Sequence, residues 1–162
     1  MGTVRFAQIE PTTRCNFTCG FCAGRAMPQE DLSLDTFRAA LDAFPDLQHV
    51  ELQGEGESLL HPAFFDMVGL LRARGVKVSL ISNGSLLSPG AVDKVLDAGI
   101  EKISVSIESA DADTFRAIRG GKLDKVVRNL EHLMAERARR GLDRPVVGLL
   151  AGAHRAVSAE RQ

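Results

Sequence analysis

The chain has 162 residues, enough for one domain with its own hydrophobic core and too few for two. Hydrophobic residues make up 44% of the sequence and charged residues 25%, as in ordinary globular domains, and a formal net charge of −1 excludes a strong field that would collect nucleic acid or an anionic membrane. With eight Phe, no Trp and no Tyr, the sequence also lacks most of the aromatic side chains that stack on single-stranded nucleic acid.

Apolar segments rich in β-branched residues alternate with helical patterns along the chain, which predicts an α/β domain with a parallel sheet. The pattern divides into five βα units. The predicted strands cover residues 4–9, 48–52, 76–81, 102–107 and 146–150. The predicted helices cover residues 33–44, 62–75, 89–98, 113–118 and 123–140. Residues 1–150 therefore form one predicted domain, and residues 151–162 form a weakly patterned C-terminal tail.

The chain shows no secretory signal pattern at its N-terminus and no apolar segment of membrane-spanning length. We therefore expect a cytoplasmic protein that has neither a membrane nor a nucleic acid as its partner. Polar or glycine-rich residues follow strands one to four, where parallel sheets place their functional sites. The first of these loops has the most residues that could bind a metal.

Three cysteines lie within eight residues of that first loop, at Cys15, Cys19 and Cys22. An odd number of closely spaced cysteines argues against a disulfide framework and indicates a metal or redox site. Soft thiolates select an iron-sulfur cluster or zinc. A closed zinc site needs a fourth ligand, which only a histidine can supply, and His61 in the loop after the second strand is the best candidate. A 4Fe-4S cluster on three cysteines leaves one iron open to an outside ligand, and we favour this interpretation.

The cysteine loop resembles the hallmark of the radical S-adenosylmethionine (SAM) superfamily, Cys-x3-Cys-x-aromatic-Cys, with Phe21 at the aromatic position. The segments 10–14 and 54–62 look like the SPASM-type peptide-modifying branch of that family. The resemblance implies a partial (β/α)6 barrel and an enzyme that binds a 4Fe-4S cluster and SAM. In the family an electron from the cluster cleaves SAM, and the 5'-deoxyadenosyl radical then abstracts hydrogen from the substrate.

The same resemblance implies contacts to SAM in the loop after the second strand. Gly56 and Glu57 match the last two positions of the family's Gly-Gly-Glu motif, which holds the amino group of SAM's methionine through backbone oxygens and, in many members, an acidic side chain. Glu55 replaces the first glycine of that motif, and Ser58 replaces the usual proline. Taken alone, the segment is equally typical of a polar turn.

Four residues in later loops resemble further SAM contacts of the family. Ser106 and Glu108, after the fourth strand, resemble polar groups that reach the ribose. Asn83 resembles the Asn of an Asn-Gly pair that faces the SAM pocket, and Arg119 resembles an arginine that pairs with the methionine carboxylate. The alternative for each is an ordinary strand, turn or surface residue.

The resemblance also predicts what the sequence lacks and what it needs. A radical SAM core has six strands, so we expect a C-terminally truncated domain without the sixth βα unit and without the SPASM extension. The expected partners are a peptide or small organic substrate and an external electron donor such as flavodoxin or ferredoxin. The alternatives are a non-catalytic zinc or electron-transfer module and an inactive fragment.

Overall fold

Five parallel strands form a single sheet in the order in which they occur along the chain, β1-β2-β3-β4-β5. The computed structural model describes residues 3–152. The strands are β1 (Phe6–Ile9), β2 (His49–Leu52), β3 (Lys77–Ser82), β4 (Lys102–Ser106) and β5 (Val146–Leu150). The α-helices are α1 (Leu34–Ala43), α2 (Phe64–Ala73), α3 (Pro89–Ala98), α4 (Ala112–Arg119) and α5 (Leu123–Arg139). The predicted α/β class, with five parallel strands and alternating helices, is confirmed.

Most element boundaries lie within two residues of the predicted ones, and those of α3 and β5 coincide with them. Strand β1 begins at Phe6, two residues late, because its ladder with β2 starts at the Arg5 carbonyl, which accepts a hydrogen bond from Gln48 N at 2.8 Å. Helix α1 begins where predicted because the Ser33 side chain accepts a hydrogen bond from Thr36 N, which caps the first turn.

The hydrophobic core lies between the helices and the three central strands. Alternate residues of β2, β3 and β4 are fully buried, as expected for a sheet face covered by helices: Val50, Leu52, Val78, Leu80, Ile103 and Val105. The helices contribute the buried leucines Leu41, Leu71, Leu96 and Leu133, and the half-buried Leu130 packs against the same core.

Strand β5 differs from the central strands because it pairs only with β4 within residues 3–152. Three of its apolar side chains are exposed, with Leu149 at 65% of its full accessible surface. Within the same residues, no helix combines the length and the apolar character needed to cross a lipid bilayer. The predicted tail, 151–162, lies outside the described residues from position 153 onwards.

Candidate active site

All three cysteines line one pocket at the carboxyl ends of the strands, with a volume of about 240 Å³. Among residues predicted from the sequence, the pocket is lined by Cys15, Cys19, Phe21, Cys22, Gly56, Glu57, Asn83, Ser106 and Arg119. Glu108 does not line it but forms an ion pair with Arg119. The fold therefore brings segments that are distant in sequence into one site, as the parallel topology predicts.

The cysteine loop is fixed to the C-terminal end of α4. Thr18 N donates a hydrogen bond to the Arg119 carbonyl at 3.0 Å, and Gly20 N donates one to the Ile118 carbonyl at 3.2 Å. Gly120, which follows α4, has a φ of 70°, and a Cβ there would lie only 1.8 Å from Thr18 Oγ1. Only glycine suits both the backbone conformation and this close contact.

The loop after β2 packs directly against the cysteine loop. Glu57 N donates a hydrogen bond to the Arg14 carbonyl at 2.8 Å. A Cβ on Gly56 would lie 1.9 Å from the Thr12 carbonyl oxygen, which is a backbone atom that cannot rotate away. Below the loop, the Glu10 carboxylate accepts a hydrogen bond from Gly56 N at 3.1 Å. The glycine of the motif is therefore needed for the contact between the two loops, whatever the pocket binds.

Glu57 is turned into the protein and joins the loop after β2 to the end of β3. Its side chain is buried, with the residue 2% exposed, and it accepts hydrogen bonds from Ser82 Oγ at 2.9 Å, Asn83 N at 2.7 Å and Leu59 N at 3.4 Å. Burial raises the pKa of the Glu57 carboxyl above its ordinary value, although these hydrogen bonds and the Arg119 charge act in the opposite direction. Both carboxylate oxygens thus already have protein donors.

Arg119, at the end of α4, is a buried cation that lines the same pocket. The residue is 7% exposed, and its Nη1 lies 3.4 Å from Glu108 Oε1. Its guanidinium lies over the rings of Phe17 and Phe21, at 5.8 Å and 6.0 Å from their centroids. Its Nε has no hydrogen-bond partner within the described part of the chain. Because buried donors are nearly always satisfied, this Nε is suited to an anionic or carbonyl group of a ligand.

Glu108 has its carboxylate directed toward protein groups. It adopts a left-handed backbone conformation with φ 62°, and its Oε2 accepts a hydrogen bond from Gly152 N at 2.7 Å. With Arg119 on the other oxygen, Glu108 links the ends of β4, α4 and β5. The ribose contact implied by the resemblance stays a prediction for Glu108. Ser106 lies in the pocket lining itself.

The three thiols have different surroundings. Cys22 Sγ lies 2.8 Å from Glu55 Oε2, and Cys19 Sγ lies 3.7 Å from the Arg119 carbonyl oxygen. Cys15 Sγ instead faces nitrogen donors: Phe17 N at 3.4 Å and the Asn83 side-chain amide at 3.9 Å. Three thiols in one pocket form the donor set that suits a soft metal centre.

The histidine proposed as a fourth zinc ligand does not join the cysteines. His61 is buried, and both of its ring nitrogens have protein partners: Nδ1 accepts from Ala63 N at 3.0 Å, so Nε2 carries the proton and donates to the Leu32 carbonyl at 3.0 Å. Between residues 3 and 152, no group of three or more His, Cys, Asp or Glu side chains lies close enough to hold a single metal ion.

Sequence reasoning missed three residues that organise this site. Glu10 supports the loop after β2, and Asn16 and Ser85 form hydrogen bonds with the Asn83 side chain. Asn16 directly follows the first cysteine, and this position in the sequence indicates that it lies near the site. Glu10 begins segment 10–14, which is part of the family resemblance, but nothing in the sequence indicates its partner or that of Ser85, because those partners are set by the approach of separate loops.

Comparison with known proteins places this site in a family. Residues 9–150 match the Radical SAM superfamily. The chain is 31% identical over 135 residues to the AdoMet-dependent heme synthase of Methanosarcina barkeri, an alignment that covers 80% of this chain and 39% of that protein. The chain spans less than half the length of these curated relatives, which include a tungsten-containing aldehyde ferredoxin oxidoreductase cofactor-modifying protein and a GTP 3',8-cyclase.

Two solved structures share the fold at low sequence identity. The anSMEcpe structure with bound AdoMet has a TM-score of 0.69 at 17% identity and covers 91% of this chain and 44% of its own. SuiB of Streptococcus suis, bound to its precursor peptide SuiA, has a TM-score of 0.67 at 18% identity and covers 81% of this chain and 30% of its own. The family uses a 4Fe-4S cluster and SAM, and the homologues are enzymes. With the family match extending from β1 to β5, this chain belongs to the radical SAM superfamily.

Proposed function

We propose that this chain is the cofactor-binding core of a radical SAM enzyme, with a 4Fe-4S cluster on Cys15, Cys19 and Cys22 and with SAM beside it. One observation carries the proposal: the three thiols line the same pocket as Arg119, a buried cation with an unsatisfied donor. A structural metal site would not need that donor. A site for a zwitterionic ligand such as SAM, which carries a carboxylate, gives it a partner.

Different residues around the pocket would hold the cluster and SAM. The three thiolates would hold the cluster, and the pocket beside them would hold the methionine end of SAM. A bound cluster supplies the electron for reductive cleavage of SAM. Arg119 orients the carboxylate, and Ser106 offers a hydroxyl at the carboxyl end of β4.

Glu57 contributes through the shape of the site. Its carboxylate holds the end of β3 against the loop after β2, so the backbone carbonyls of that loop are fixed before a ligand arrives. Preorganised acceptors cost a ligand less ordering than mobile ones. Gly56 has the same effect, because it allows that loop to lie against the cysteine loop. We therefore assign the amino group of SAM to backbone oxygens of this loop.

For the whole protein, we propose only the class of substrate and the kind of electron donor. The SuiB structure contains a precursor peptide, which supports a peptide as the substrate class here, with a small organic molecule as the alternative. An external electron donor such as flavodoxin or ferredoxin would reduce the cluster. A SPASM-like affiliation and a cytoplasmic location also stay predictions.

Electron paramagnetic resonance (EPR) of the reduced protein tests this proposal. The protein is reconstituted with iron and sulfide without oxygen, reduced with dithionite and titrated with SAM. We expect a reduced-cluster signal whose shape changes as SAM is added, because SAM becomes a ligand of the open iron. Cys19→Ala should abolish the signal, whereas Ser33→Ala, in the cap of α1, should leave it unchanged. A cluster signal that SAM does not alter would instead support a non-catalytic electron-transfer module.

A further inference from the structure

Three polar side chains form a closed ring of hydrogen bonds next to Cys15. Asn83 Nδ2 donates to Asn16 Oδ1 at 2.9 Å, Asn16 Nδ2 donates to Ser85 Oγ at 2.8 Å, and Ser85 Oγ donates to Asn83 Oδ1 at 2.7 Å. Each side chain donates once and accepts once within the ring, an arrangement in which the bonds strengthen one another. Asn83 and Ser85 are buried, and Asn16 is exposed.

The orientation of the Asn83 amide is fixed by the backbone. Ser85 N lies 2.9 Å from Asn83 Oδ1, and a backbone N–H can only donate, so this atom of the amide must be the oxygen. The other end is therefore the NH2 group. It lies 3.9 Å from Cys15 Sγ, and its remaining hydrogen is available to that sulfur once the first is used on Asn16.

The ring makes the surroundings of the three sulfurs unequal. Cys15 Sγ has two nitrogen donors nearby, whereas Cys22 Sγ has the Glu55 carboxylate at 2.8 Å. Donors to a cluster sulfur stabilise the reduced, more negative cluster and so raise its reduction potential. The amide of Asn83 is well placed to act in this way because the ring prevents it from turning away.

We infer that Asn83, held by Asn16 and Ser85, is a positioning residue that raises the reduction potential of a cluster bound at Cys15. The inference rests on the proposed function, since it presupposes the cluster. It concerns the electron that enters the site and is separate from how SAM is bound. Asn83→Ala removes the donor, and Asn83→Asp replaces it with a carboxylate of nearly the same shape.

The test is a redox titration of the reconstituted protein, followed by EPR without SAM, so that no turnover is involved. The midpoint potential should be highest in the natural protein, lower in Asn83→Ala and lowest in Asn83→Asp. Ser79→Ala is the matched control. Ser79 is a buried polar residue of β3, as Asn83 is a buried polar residue just after it, but Ser79 Oγ bonds to His49 at 2.7 Å and not to the ring. Its potential should equal that of the natural protein.

A variant outside Asn83 keeps the test valid if the Asn83 variants fail to fold. Asn16→Ala changes an exposed residue, and it should lower the potential by a smaller amount because Asn83 loses its anchor. Potentials that are unchanged or higher in all three variants would overturn the inference while leaving the proposed function intact. A natural protein that takes up no cluster would overturn both.

Discussion

The two sides of the cysteine pocket are built on different principles. On the β3 side, Glu57 and Asn83 are buried, and each of their polar side-chain atoms has a partner within the protein. On the β4 side, Arg119 is equally buried but keeps an Nε without a partner within residues 3–152. The contrast is one of hydrogen bonding: the satisfied groups hold the loops in place, whereas the Arg119 Nε is a buried donor to which the proposed function gives the SAM carboxylate as a partner.

This comparison bears on the acidic residue of the motif, whose contact with SAM stays a prediction. The family resemblance gives Glu57 a direct contact with SAM, whereas its carboxylate here is occupied by Ser82, Asn83 and Leu59. A variant at Glu57 should therefore damage folding first, and a variant at Arg119 should damage SAM binding first.

The largest effect is expected from Glu57→Ala. It leaves the buried donors of Ser82 and Asn83 without an acceptor, which should lower the free energy of unfolding by about 3 kcal/mol. Glu55→Ala, in the same loop but at an exposed position, should cost less than about 1 kcal/mol. Urea denaturation of the metal-free protein measures both values, and equal losses would contradict the scaffold role.

A smaller loss is expected from Gly56→Ala, at about 2 kcal/mol, because the new Cβ meets the Thr12 carbonyl and forces the two loops apart. Gly54→Ala is the matched control. The atoms nearest to its Cβ belong to the Glu10 side chain, whose movement costs the hydrogen bond to Gly56 N but leaves the backbones of the two loops in contact, so both stability and iron uptake should suffer less. Iron content after reconstitution checks the order, and a Gly54→Ala variant that binds less iron than Gly56→Ala would be inconsistent with it.

On the β4 side, Arg119→Lys should weaken SAM binding by roughly tenfold with little change in stability. Lysine keeps the positive charge opposite Glu108 but lacks the planar group with its additional donor. Arg116→Lys, on the exposed face of the same helix, is the control and should bind SAM normally. Calorimetric titration of the reconstituted protein gives both affinities; unchanged affinity in Arg119→Lys would remove the proposed carboxylate contact.

The smallest expected effect is on how the stability of the protein depends on pH. Because burial raises the pKa of Glu57, the folded chain keeps a proton at pH values where the unfolded chain, with a pKa near 4.5, has released it. Stability from this group should therefore fall as the pH rises from about 4.5 to the folded pKa and stay level above that. Melting temperatures of the natural protein and Glu57→Gln across this range should differ in slope, and parallel curves would argue against the raised pKa.

The fold could be predicted from periodicity because the apolar pattern of a helix or a strand is a local property of the sequence. Helix α3 and strand β5 lie where the apolar patterns place them, and the cysteine spacing identified the pocket. The partners of charged side chains could not be predicted in the same way. Whether Glu57 faces a ligand or Ser82, and whether Glu108 faces the pocket or Arg119, depends on how loops from distant parts of the chain approach one another.

The central claim is that Cys15, Cys19 and Cys22 hold a 4Fe-4S cluster, and metal analysis after anaerobic reconstitution tests it most directly. Iron, acid-labile sulfide and zinc are counted per chain in the natural protein and in Cys15→Ala, Cys19→Ala and Cys22→Ala. We expect about four irons and four sulfides in the natural protein and a loss of the cluster in each variant. One zinc per chain in protein purified without oxygen, with no uptake of iron or sulfide, would contradict it.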